Sequence, residues 1–122
     1  MLTGGGAPDE VLQLILRGDA TLLVDSRILA EYDEVIARSH FGFDATERRA
    51  LLDTLSAVAE HVVAPHLRLA LPDSDDVKFV EVADAGRADA LVTGNRRHFT
   101  ARSGKIRVRV ISPRQLMEEM RT

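Results

Sequence analysis

Two acidic side chains lie on faces of predicted helices that should point toward the protein core. Glu31 comes three residues after Ile28 and four before Val35, and Asp76 comes three residues before Phe79. Residues at these spacings share one face of a helix. A carboxylate that faces the interior is costly unless it is paired, hydrogen-bonded or bound to a metal ion. Both acids are therefore candidate metal ligands, although Glu31 could equally pair with a nearby arginine.

Further polar residues could complete such a site. Asn95 follows a predicted buried strand that ends at Thr93, and the Thr93 hydroxyl could orient a water molecule. Asp73 and Asp75 come shortly before Asp76, where carboxylates can simply cap a helix, and Asn95 could simply be a turn residue. If these oxygen atoms converge, they suit Mg²⁺ or Mn²⁺, which bind a few carboxylates, water and a substrate phosphate.

A basic segment begins directly after Asn95. Residues 96–109 contain five arginines, one lysine and one histidine but no acidic residue, whereas the whole chain has a net charge of −3. This distribution is typical of a local anion-binding surface or of a solvated face. We predict phosphate contacts for Arg96, Arg97 and Arg102. Acids that hold a divalent ion beside such cations indicate nuclease chemistry, because the ion can activate water and stabilise a breaking phosphodiester.

The composition limits the class of protein. A chain of 122 residues fits one domain, residues 1–122, and its 45% hydrophobic and 29% charged residues are typical of a soluble globular fold. The absence of cysteine excludes disulfides, thiolate metal sites and cysteine nucleophiles. No apolar run is long enough to span a membrane and no secretory signal is visible, so we expect a cytoplasmic protein.

Helix and strand signals alternate along the chain. Strands are predicted at 21–24, 61–63, 90–93 and 106–111. Helices are predicted after Pro8, after a Ser26 cap, after an Asp44–Glu47 capping box, and after Ser112-Pro113. A further helix should run through Phe79 to an end at Gly86. This order predicts an α/β domain with a mainly parallel sheet, in which ligands collect beyond the carboxyl ends of the strands.

An ordered set of motifs resembles the PIN-domain (PilT N-terminus) family. The set comprises residues 73–81, Gly86, residues 88–95 and His98-Phe99, with further similarity at residues 5–8 and 28–32. It is most similar to the VapC-like branch, the toxins of bacterial toxin–antitoxin pairs. The resemblance covers nearly the whole chain and implies a three-layer α/β/α fold. It also implies a Mg²⁺- or Mn²⁺-dependent endonuclease acting on single-stranded RNA, commonly dimeric and held inactive by a cognate antitoxin protein.

The resemblance assigns roles residue by residue. Glu31 matches the family's helical glutamate, and Asp76 matches the aspartate that starts a later helix. Asn95 stands where most members carry another aspartate, a replacement that this branch often shows. All three are thereby expected to be catalytic, with Glu31 and Asp76 as the metal ligands.

The sequence departs from the family pattern at the N-terminus. The family's first strand, which is central in the sheet and ends in a metal-binding aspartate, has no counterpart before Met1-Leu2-Thr3. We therefore expect an N-terminally truncated domain that lacks its central strand. A misassigned start or shortened chain, a gap filled by another chain or by residues 106–111, or a degenerate fold would each account for this.

Two other functions stay open at this point. The chain could be a catalytically impaired PIN-like module that binds RNA or a partner protein, as the absent first aspartate suggests. It could also be an unrelated small α/β protein whose acidic residues all cap helices.

Overall fold

The computed structural model describes residues 9–38 and 42–121, and within them helices alternate with short strands. The elements are α1 (Asp9–Leu16), β1 (Leu23–Val24), α2 (Ser26–Arg38), α3 (Ala45–Val58), β2 (Glu60–His61), α4 (Val77–Ala85), β3 (Leu91–Val92), β4 (Val110–Ile111) and α5 (Pro113–Met120). Short 3₁₀ helices cover Ser74–Asp76 and Arg96–Phe99. The order confirms the mixed α/β prediction, while the family-like residues 5–8 lie outside the described part.

The described strands form two separate parallel pairs. β1 pairs with β2, with Leu23 opposite Glu60, and β3 pairs with β4, with Leu91 opposite Val110. A cavity of about 540 Å³ lies between the pairs and is lined from both sides, for example by Leu22 and Ile111. The parallel direction agrees with the prediction, and the missing central strand stays a prediction.

Helix α4 is the most deeply buried element of the fold. Its residues Phe79 through Ala83 are all buried, and they pack with the buried residues of β1 and β3 in one hydrophobic cluster. Residues on every side of a helix are buried only when other elements cover it all round. The core therefore fixes α4, and with it the position of Asp76 at its N-terminus.

Several helix ends are defined by local hydrogen bonds. The predicted capping box is confirmed, since the Asp44 carboxylate accepts from the Glu47 backbone N–H and the Glu47 side chain accepts from that of Asp44. The Ser112 hydroxyl accepts from the Gln115 N–H at 3.1 Å, as its position predicted. Each such cap stabilises its helix by about 1 kcal/mol.

Two local predictions were wrong. Ser26 is the first residue of α2 and not its cap, because the Asp25 carboxylate accepts the Ile28 N–H at 3.0 Å. The strand predicted over 106–111 is reduced to Val110–Ile111, since only these residues pair with β3. In the rest of that segment alternation alone does not make a strand.

Within residues 9–38 and 42–121, no helix is both long and apolar enough to cross a bilayer.

Candidate metal and nucleic-acid site

Glu31 on α2 faces α4 and forms an ion pair there. Its Oε1 atom lies 2.7 Å from Nζ of Lys78, and the two side chains are 25% and 15% exposed. The Lys78 ammonium also donates to the backbone oxygen of Asp75 at 2.8 Å. The inward orientation of Glu31 is as expected, but its partner is a lysine from another helix and not an arginine.

Asp76 stands at the N-terminus of α4 without serving as its cap. Its side chain is 17% exposed and makes no capping hydrogen bond. The preceding 3₁₀ helix is capped by Asp73, whose carboxylate accepts the Asp75 N–H at 2.9 Å. The Oδ2 atom of Asp76 is buried and accepts no hydrogen bond from any residue that the structure describes. The simple capping interpretation therefore holds for Asp73 and fails for Asp76.

The electrostatics of Asp76 reflect this position. Burial raises the pKa of its carboxyl group, and the charges of Asp73 and Glu31 raise it further, against opposing effects of His98 and Lys78. Charges influence one another in this way only at short range. The charges of Glu31 and Lys78 both act on the Asp76 carboxyl group, and we call the region around these three side chains the acidic pocket.

Asn95 is connected to Asp76 through His98, which was not among the predicted site residues. Asn95 Nδ2 donates to His98 Nε2 at 3.2 Å, and His98 Nδ1 lies 3.6 Å from Asp76 Oδ2. With Nε2 as acceptor, a neutral His98 ring carries its proton on Nδ1, the nitrogen nearest Asp76. The available signal was the three-residue spacing from Asn95 to His98, which one turn of the 3₁₀ helix brings together.

Thr93 has a structural role in the described chain. The residue is buried, and its hydroxyl accepts the Asn95 backbone N–H at 3.1 Å. This bond holds the turn that carries Asn95 out of β3. The predicted part of Thr93 in orienting water stays a prediction.

A second ion pair joins α2 to α4 next to the first. Arg27 Nη1 lies 2.7 Å from Glu81 Oε1, and Glu81 is only 3% exposed. Its other oxygen accepts the Leu67 N–H at 2.7 Å. Burial alone would raise the pKa of Glu81, but the hydrogen bonds from Arg27 and Leu67 outweigh it and lower the pKa. Neither residue was predicted from the sequence, although Arg27 lies one helical turn before Glu31.

The basic segment presents most of its charge to solvent. Arg96, Arg97 and Arg102 are exposed, and the first two follow Asn95 directly. Arg109 is engaged instead, since its guanidinium donates to both carboxylate oxygens of Glu119 at 3.2 and 2.7 Å. The arginines predicted to contact phosphate are therefore accessible, while their contact with RNA stays a prediction.

The donor atoms of the acidic pocket fit a hard divalent cation. A buried carboxylate oxygen without a hydrogen-bond donor, Oδ2 of Asp76, lies in the same pocket as the Glu31 carboxylate, and the Asn95 amide is linked to it. Oxygen donors of this kind suit Mg²⁺ and Mn²⁺. Among residues 9–38 and 42–121, no three acidic or histidine side chains are grouped closely enough to hold an ion together.

Comparison with known proteins gives one family. The model of the PIN domain matches residues 1–97, which is most of the chain and includes Glu31, Asp76 and Asn95. Neither the curated proteins nor the solved structures compared with the chain gave a match.

Proposed function

Because the chain belongs to the PIN-domain family, whose members are generally nucleases, we propose that it is a divalent-metal-dependent endoribonuclease. The observation that carries the proposal is the Oδ2 atom of Asp76, buried beside Glu31 without a hydrogen-bond donor among the described residues. A purely structural carboxylate in this position would be hydrogen-bonded. A cation bound by Asp76 would remove the cost of leaving this oxygen unsatisfied.

The residues of the pocket divide the proposed work between them. Glu31 and Asp76 would hold Mg²⁺ or Mn²⁺, and the ion would supply activation of water and neutralisation of charge at a phosphodiester. Asn95 adds a neutral ligand or positions water, and its hydrogen bond to His98 fixes the orientation of the amide. Arg96, Arg97 and Arg102 bind phosphates of the RNA and offset the negative charge of the acids.

We further propose a cytoplasmic toxin of a toxin–antitoxin pair, acting on single-stranded RNA as a homodimer or larger homo-oligomer and held inactive by a cognate antitoxin protein. Support comes from residues 73–95, which resemble the VapC-like branch, with Asn95 in place of the more common aspartate. Induced expression should arrest bacterial growth, and Asp76→Asn should relieve the arrest. Growth that is unaffected by the original chain, at a confirmed protein level, would argue against a toxin.

The sheet supports one more part of this proposal. We propose that an apolar strand, parallel to β1 and β3 and ending in an aspartate, completes the sheet between them and adds a third carboxylate to the pocket. Both flanking pairs are parallel, and the intervening cavity of about 540 Å³ is lined by apolar residues of both pairs, such as Leu22 and Ile111, together with charged residues such as Asp89. In-frame DNA just upstream of Met1 that encodes such a strand would support this, and appending the strand should raise both Tm and cleavage rate.

A second candidate function is a PIN-like module that binds RNA or a partner protein without cleaving. The observation that favours it is the ion pair of Glu31 with Lys78, together with the lack of a third grouped acid among the described residues. RNA binding that persists while cleavage is absent, with or without metal, would support this alternative.

The decisive experiment is cleavage of a fluorescent single-stranded RNA in Mg²⁺ or Mn²⁺. Activity should disappear with EDTA and with Asp76→Asn. Asp84→Asn is the matched control, since Asp84 is exposed on the same helix. Glu31→Gln should also abolish cleavage, whereas Glu34→Gln, exposed on α2, should leave it unchanged. Equal cleavage by Asp76→Asn and the original chain would reject the proposed site.

A further inference from the structure

The Lys78 ammonium lies inside the acidic pocket and not on its rim. It is 2.7 Å from Glu31 Oε1 and 2.8 Å from the Asp75 backbone oxygen, with the side chain 15% exposed. Its Nζ atom is also 5.3 Å from the centre of the Phe79 ring, a distance at which a cation is attracted to the aromatic face. Two oxygens and a ring therefore hold this cation in one place.

The pocket has more negative charge than Lys78 balances. Glu31 and Asp76 supply two carboxylates, and Lys78 supplies one positive charge, which it directs at Glu31. The Oδ2 atom of Asp76 receives no hydrogen bond from Lys78 or from the other described residues. The pocket is thus partly neutralised, at the carboxylate that a divalent ion would also need.

We propose that Lys78 is the internal cation of this pocket. Its ammonium pairs with the Glu31 carboxylate in the metal-free protein and must move away before Glu31 can bind a divalent ion. The inference rests on the proposed function and adds a competitor to the metal site. An ammonium and a divalent ion that bind the two oxygens of one carboxylate also repel each other strongly at such close range. Lys78 therefore stabilises the metal-free fold and lowers the affinity of the site for metal.

Metal binding to variants of Lys78 tests the inference without any measurement of cleavage. Mn²⁺ binding is followed at fixed pH and ionic strength by titration calorimetry and by loss of the free-ion EPR signal. Lys78→Met should bind Mn²⁺ about tenfold more tightly than the original chain, because the positive charge that repels the ion is removed. Lys105→Met is the matched control, because Lys105 is the other lysine of the chain and is exposed. Its affinity should be unchanged.

Two further variants test whether Lys78 affects Mn²⁺ binding through the Glu31 carboxylate. Lys78→Arg keeps the positive charge and should bind Mn²⁺ no more tightly than the original chain. In a Glu31→Gln background, Lys78→Met should lose most of its tenfold effect, because the contested carboxylate is gone. If Lys78→Met fails to fold without metal, Lys78→Gln takes its place as the neutral variant. The rise in Tm that Mn²⁺ causes in Lys78→Gln is then compared with the rise in Lys78→Arg.

The outcomes separate this inference from the proposed function. Equal or weaker Mn²⁺ binding by folded Lys78→Met, with clear binding by the original chain, overturns the competition and leaves the metal site standing. No Mn²⁺ binding by either protein overturns both. Tighter binding by Lys78→Met that is undiminished in the Glu31→Gln background would also refute the inference, since Lys78 would then act elsewhere.

Discussion

Arg27 on α2 and Glu81 on α4 form a partly buried ion pair whose polarity is opposite to that of the neighbouring pair, Glu31 and Lys78. Arg27 precedes Glu31 by four residues, and Glu81 follows Lys78 by three, so each helix carries its two charged residues on one face. Each helix therefore contributes one cation and one anion, and each charge is paired with the opposite charge on the other helix. This crossed arrangement aligns the two helices, and it favours a placement in which Glu31 lies beside Asp76.

Glu81→Gln is expected to destabilise the protein by about 2 kcal/mol at neutral pH, because it removes the charged acceptor of Arg27 Nη1 and of the Leu67 N–H, although Arg27 keeps its ion pair with Asp25. We place the loss below that of a fully buried pair since the Arg27 side chain is partly exposed. The measurement is urea unfolding of Glu81→Gln beside Asp84→Asn, an exposed acid on the same helix. A loss no larger than that of the control would show that the pair does not join the helices.

The same variant has a predicted pH dependence. The pKa of Glu81 is lowered in the folded protein, so its carboxylate contributes stability above the unfolded-state pKa of about 4.5. That contribution is lost as the pH falls through the lower folded-state pKa. The difference in unfolding free energy between the original chain and Glu81→Gln should therefore be full at pH 7 and shrink below about pH 4.5.

Asp76→Asn should raise stability at neutral pH while it removes activity. The pKa of Asp76 is raised by burial and neighbouring acids, so the folded protein favours the protonated acid. This favourable contribution is complete below the unfolded-state pKa of about 3.9 and is lost as pH rises through the folded-state value. The neutral amide avoids the loss, and we expect a gain of about 1 kcal/mol at pH 7 that vanishes near pH 4.

Unfolding of Asp76→Asn in EDTA across this pH range provides the measurement, with Asp84→Asn as its control. A variant less stable than the original chain at pH 7 would mean that the Asp76 carboxylate is satisfied in solution. That result would argue against Asp76 as a metal ligand.

Local signals in the sequence predicted much of the fold but little of the pairing inside the site. The Asp44–Glu47 box, the Ser112 cap and the end of α4 at Gly86 depend on neighbours within a few residues, so they could be predicted from spacing. The inward direction of Glu31 and Asp76 followed from helical periodicity in the same way. The competing caps of α2 could not be ranked, because Asp25 and Ser26 are both good capping residues.

The partners within the pocket depend on how distant elements cross. Lys78 reaches Glu31 only because α4 packs against α2, and that contact joins helices separated by α3 and β2. His98 reaches Asp76 because the 3₁₀ helix after β3 turns back toward α4. Periodicity gives the face on which a residue lies, whereas the identity of its partner is set by tertiary packing.

Replacing Arg96 and Arg97 together by alanine should weaken binding of single-stranded RNA and make it less sensitive to salt. Each phosphate contact on a single strand contributes about 0.7 to the slope of log affinity against log salt, so the slope should fall by about 1.4. Binding is measured in an Asp76→Asn background, which prevents cleavage. The matched control is Arg49→Ala with Arg114→Ala, two exposed arginines outside the basic segment. Equal slopes for both double variants would exclude Arg96 and Arg97 from the RNA contact.

Gly104 lies in the basic segment, in close contact with residues 68–70. A substitution of Gly104 tests whether this contact holds the basic segment in place. Its φ is +82°, and a Cβ atom at this position would lie 2.5 Å from the Arg68 backbone oxygen. The nearby bridge between Ala70 and Ser103 restricts any adjustment. Gly18 has almost the same φ, +83°, but a Cβ atom there meets nothing within 4 Å. Gly18→Ala thus measures the conformational cost alone, about 1 kcal/mol.

Gly104→Ala adds a steric clash to that cost, and we expect a total loss of about 3 kcal/mol. Thermal and urea unfolding of the two variants measure the difference directly. If both lose the same free energy, the 68–70 and 102–104 segments do not pack closely in solution. If Gly104→Ala loses more and also weakens RNA binding, the contact between these segments positions Arg102 within the basic surface.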